Sequence, residues 1–67
     1  MHQIKPCVVE EGYTEWRFVL NSESYFVEHD YSGVRLFFVV WEDPHLVAVG
    51  DAVYEWLEAN ELQLLEP

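Results

Sequence analysis

The stretch Val34–Trp41 constrains this chain more than any other, because every position except Arg35 is apolar or aromatic. Such β-branched and aromatic side chains suit a pleated, partly buried surface, so the run reads as a strand. Its side chains alternate between two faces. Val34, Leu36, Phe38 and Val40 point one way, and Phe37, Val39 and Trp41 the other. An antiparallel strand with one wet face alternates apolar with polar residues. Here both faces are apolar, so both need cover, since monomers rarely expose a large contiguous apolar patch. Phe37, Val39 and Trp41 are therefore expected to mediate self-association or docking on an outer sheet face. A homodimer, a different partner or the chain's own termini would each provide that cover. Glu42 and Asp43 sit beside the run as charged gatekeepers against aggregation.

Around this strand the chain is cut into short pieces. Glu11-Gly12, Asn21-Ser22-Glu23 and Asp30-Tyr31-Ser32-Gly33 are turn signals. They delimit strands over Ile4–Val9, Tyr13–Leu20 and Tyr25–His29. In Tyr13–Leu20, Trp16, Phe18 and Leu20 oppose Glu15, Arg17 and Val19, the period-2 pattern of a half-buried strand. Short turns between successive strands make them antiparallel neighbours.

Asp43-Pro44 then reads as a helix start, with Asp as the cap and Pro at the first helical position. Leu46, Val49, Val53, Trp56 and Leu57 recur at helical spacing. Asn60 suits the left-handed residue that ends such a helix. Leu62–Leu65 form either a brief edge strand or leucines tucked under the helix. The expected fold is one small α+β domain over residues 1–67. It has a three- or four-stranded antiparallel β-meander, then one C-terminal α-helix packed on one face.

The charge balance narrows what such a domain binds. Thirteen Asp and Glu face only Lys5, Arg17 and Arg35, a formal charge of −10. Direct contact with nucleic acid or an anionic membrane is disfavoured at that charge, and a basic protein surface is favoured. Acidity also keeps an aromatic-rich domain soluble, with no further role required. On the predicted helix, Asp51, Glu55 and Glu58 follow i, i+4, i+7 and share one side. Their axial steps of roughly 6 and 4.5 Å are near the spacing of phosphates along a nucleic-acid strand. This acidic stripe is the candidate partner-binding site; an acidic solvated face in an acid-rich chain is the plainer alternative.

Chemistry-bearing clusters are few. Glu28-His29-Asp30 offers carboxylates and an imidazole, but successive strand side chains diverge, so no metal site is expected there. Cys7 precedes two valines in a strand, where a thiol usually acts as a small buried apolar group. The three glycines are dispersed, so no phosphate-cradling loop is present, and no nucleophile has a base and an orienting group beside it. No catalytic residue and no cofactor are assigned.

A single cysteine, no charged-then-apolar leader and a longest apolar stretch of only Leu36–Trp41 point to the cytoplasm. The expected function is non-enzymatic: a small acidic inhibitor or regulator that occupies a basic, nucleic-acid-binding surface of a partner. Small phage-encoded antagonists and antitoxin-like inhibitors share this physical description, as an analogy of class. The alternative is an accessory subunit that docks through the apolar sheet face.

Overall fold

Two-residue loops at 11–12, 21–22, 31–32 and 41–42 organise the chain. The computed structural model describes all residues from Met1 to Pro67. Strands β1 (His2–Ile4), β2 (Pro6–Glu10), β3 (Tyr13–Leu20), β4 (Glu23–Asp30), β5 (Gly33–Val40) and β6 (Asp43–Val49) precede helix α1 (Asp51–Ala59) and strand β7 (Leu62–Leu64). Strands β2 to β6 form one five-stranded antiparallel meander in chain order. Strands β1 and β7 pair in parallel as a separate two-stranded sheet.

The α+β class and the single helix packed on one sheet face agree with the sequence reading. The strand count does not: the meander has five strands, where three or four were expected. Asp43-Pro44 opens β6, and the helix begins only at Asp51. Pro44 is tolerated there because β6 is an edge strand, with β5 as its sole neighbour. Of the five apolar residues at helical spacing, Val53, Trp56 and Leu57 lie on α1 whereas Leu46 and Val49 lie on β6. A bulge in β6 opposite Leu36 and Phe37 breaks the strand alternation and let the pattern pass for a helix. The expected strand Ile4–Val9 is likewise two strands, divided at Lys5.

The loop 41–42 lacks the usual turn residues, so the sequence does not mark it as a hairpin. Trp41 and Glu42 have φ of 54° and 65°, matching Asn21 and Ser22 at 52° and 66°. Tight two-residue hairpins need positive φ at both loop positions, which favours Asn and Gly. Trp and Glu hold that conformation at a cost. The helix end differs in detail too. Asn60 has φ −103°, and the left-handed residue is Glu61 at 59°. The Asn60 side chain instead donates from Nδ2 to the Trp56 carbonyl at 2.9 Å.

The core lies between the sheet and α1. Trp16, Val27 and Leu36 form a row across β3, β4 and β5, and Val53 and Leu57 from the helix close over them. Val27, Leu36 and Val53 are fully enclosed. A second row, Phe18, Tyr25 and Phe38, meets Trp56: Phe18 and Tyr25 stack at 5.4 Å, and Tyr25 lies 5.1 Å from the Trp56 ring. Ile4 and Leu62, from the small sheet, complete the cluster. Trp16 Nε1 donates to the Leu65 carbonyl at 2.8 Å, which ties the C-terminal segment over the core. No helix is long and apolar enough to cross a membrane.

Replacing Trp41 with Asn and Glu42 with Gly should relieve the loop strain and stabilise the fold by about 1–2 kcal/mol. The check is a higher urea midpoint at an unchanged slope.

Candidate functional site

Register arithmetic builds the outer face of the sheet, the one α1 leaves open. With two-residue loops on each side, β3, β4, β5 and β6 align their outward residues in transverse rows. One row is Glu15, Glu28, Arg35 and Val49; the next is Arg17, Phe26, Phe37 and Leu46; the last is Val19, Ser24, Val39 and Pro44. The face is thus ionic at one end and apolar at the other.

At the ionic end Glu15, Glu28 and Asp30 pair with Arg17 and Arg35. Arg35 bonds Glu28 through Nε at 3.0 Å and Asp30 through Nη2 at 2.7 Å. Arg17 Nε bonds Glu15 Oε2 at 2.5 Å. The Tyr13 hydroxyl donates to Glu15 at 2.6 Å and lies 3.2 Å from Glu28. Glu15 is the only buried polar or charged residue of the molecule. Burial, the largest influence on it, raises its carboxyl pKa, but hydrogen bonds from Tyr13 and Arg17 together hold it below the usual carboxylate range. Burial, then the Glu15 hydrogen bond, push the Tyr13 phenol well above its ordinary value. Asp30 is held down by Arg35 and by the Ser32 amide that its carboxylate caps. These bonds link β3 to β4 through Tyr13 and Glu28, and β4 to β5 through Arg35, an arrangement suited to holding three strands in register.

The apolar end is open. Phe26 and Phe37 stack with centroids 4.8 Å apart, and the Arg17 guanidinium lies 5.2 Å from the Phe26 centroid. Val19 is 70% exposed and Leu46 58%. Of the predicted docking residues, Phe37 and Val39 lie here, half-buried by their neighbours. Trp41 does not join them in a strand: it occupies the hairpin loop and is 96% exposed. Phe26, Val19 and Leu46 were not singled out from sequence, although the loop lengths would have aligned Phe26 and Val19 with Phe37 and Val39.

Asp51, Glu55 and Glu58 all lie on α1 and are exposed. Asp51, in the first turn, gains from the helix dipole, whereas the last turn carries no base and Glu58 there is disfavoured by about 0.3–1 kcal/mol. Beside the helix, Trp16, His29, Tyr54, Leu57, Glu58 and Leu64 help line a half-open cleft of about 300 Å³. Glu28 and Asp30 face outward with Arg35, while His29, in alternation, belongs to the inner side with Val34. The three consecutive residues therefore do not converge, and no group of three or more His, Cys, Asp or Glu could hold a metal ion. Cys7 is exposed rather than buried: it sits at a bulge in β2, outside the paired register, with its thiol 3.4 Å from the Glu15 backbone carbonyl.

No family model, no curated protein and no solved structure gives a significant match to the chain.

Glu15→Gln should destabilise the protein by about 1–3 kcal/mol at neutral pH, the usual cost of losing hydrogen bonds to a buried charge. Glu15 has a lowered folded-state pKa, so its contribution is present above the unfolded value of about 4.3 and is lost as pH falls through the folded value. Thermal melts of parent and variant should therefore converge in acid. A gap that persists at low pH would assign the cost to packing.

Proposed function

We propose that this protein is a non-enzymatic binding module whose acidic helical side occupies a basic, nucleic-acid-binding surface of a partner protein. The carrying observation is the placement of the bases. Both arginines are committed to Glu15, Glu28 and Asp30 on the outer sheet face. The other ten of the thirteen carboxylates have Lys5 as their only possible lysine or arginine counter-charge, and Lys5 makes no ion pair. Asp51, Glu55, Glu58 and Glu61 follow one another along the helical side with no base among them. A field of that sign speeds encounter with a cationic partner.

The non-enzymatic reading draws support from the ionic cluster. Its shifted groups, Tyr13, Glu15, Arg17, Asp30 and Arg35, are hydrogen-bonded to one another or to Glu28 on the same sheet face. The alternative, an accessory subunit that docks through Phe37 and Val39, draws on the open apolar rows of the same face.

The test is a pull-down with the intact protein, followed by titration against the captured partner at about 50 and 200 mM salt. Duplex nucleic acid should compete, and binding should weaken with salt. Asp51→Asn with Glu55→Gln and Glu58→Gln should keep the circular dichroism spectrum and lower affinity at least about tenfold, chiefly through association rate. Equal binding by the neutralised helix would reduce the stripe to a solvated face and favour the docking subunit.

A further inference from the structure

We infer that the outer face of the sheet is a homodimer interface, in which a second copy of this chain packs its own apolar rows against Phe26, Phe37, Val39, Val19 and Leu46. The argument for a second copy, rather than another occupant, begins with charge. A chain at −10 repels its own kind over most of its surface. On the outer face, however, Glu15, Glu28 and Asp30 are met by Arg17 and Arg35, which leaves Glu10 and Glu42 at the rim as the unpaired carboxylates. This is the part of the molecule where two copies approach with least repulsion. A basic partner is steered instead to the helical side.

Area points the same way. Five strands about 4.8 Å apart and up to eight residues long, at about 3.3 Å each, present roughly 600 Å² in projection. Side-chain relief adds to this, so the face reaches the scale of the ~800 Å² per partner of a standard interface. Its form also suits a two-fold axis. The stacked Phe26–Phe37 pair forms a flat centre, the exposed Val19 and Leu46 stand at opposite ends of the rows, and a two-fold pairing sets the same patch on both chains. Strands β1 and β7 do not serve as cover, because they are committed to the opposite, helix-bearing face through Ile4, Leu62 and the Trp16–Leu65 bond. In the dimer two sheets pack face to face and both helices remain outside, so dimerisation leaves the acidic sides free.

Sedimentation equilibrium on the full chain tests this. The expected result is a particle of twice the 8.0 kDa chain mass whose association tightens as salt screens the residual like-charge repulsion. Val19→Glu with Leu46→Glu changes two side chains already exposed in the monomer, and should preserve the fold while raising the dimer Kd at least about a hundredfold. Asp51→Asn with Glu55→Gln and Glu58→Gln should leave the dimer intact, which separates this inference from the helix-side proposal. Should the Glu variant fail to fold, the parent's melting temperature must still rise with protein concentration. A monomer at every concentration overturns the inference, as does a dimer unaffected by a folded Glu variant. A mass that climbs without limit also overturns it, since that behaviour belongs to open-ended edge-strand pairing.

Discussion

A nine-residue helix is about 13 Å long, whereas a five-stranded sheet spans more than 20 Å across its strands. Helix α1 alone therefore cannot cover the inner face, and the way the deficit is met sets the rest of the architecture. The small parallel pair of β1 and β7 lies where the helix does not reach, and it brings Ile4 and Leu62 into the core. Trp16 is central to this arrangement. The residue is 3% exposed, and its indole nitrogen donates to the carbonyl of Leu65. One residue of the central sheet thus fixes a segment 49 positions away, and both chain ends become part of the cover.

Committing β1, β7 and the helix to one face leaves the other face of the sheet open. The sheet has organised that face by register. Three carboxylates, two arginines and a tyrosine occupy one end, and phenylalanines and aliphatic residues occupy the other. Burying Glu15 without partners would cost several kcal/mol. Tyr13 and Arg17 remove that cost from within β3, and the Tyr13 hydroxyl also reaches Glu28 on β4. Concentrating the arginines here has a consequence at a distance: the helical side and the hairpin tips keep their carboxylates unneutralised. Charge segregation across the molecule follows from a local requirement of the sheet.

Much of the fold is legible along the chain. Tyr13–Leu20 alternates cleanly because one of its faces is core and the other ionic, and its limits are those of β3. The two-sided apolar character of Val34–Val40 follows from its place as β5, with paired strands on both edges and an apolar outer row. Asn21 and Gly12 mark loops by their tolerance of the positive φ found there, 52° and 76°. The fifth strand was not legible. Trp41-Glu42 carries no local preference for a hairpin, and the β6 bulge shifts Leu46 and Val49 into an apparent helical period. Local propensity pointed one way there, and pairing with β5 decided the other.

The same division holds for the site. By itself the sequence determined the strong negative charge, the presence of one helix bearing Asp51, Glu55 and Glu58, and an apolar strand that needs cover on both sides. These depend on composition and on periodicities within single elements. Only the tertiary structure decided that Arg17 and Arg35 are spent on Glu15, Glu28 and Asp30, that Phe26 joins Phe37, and that Trp41 stands apart on a loop. Such relations exist between strands. They arise from loop length and register, and a shift of one residue would have sent every one of these side chains to the opposite face.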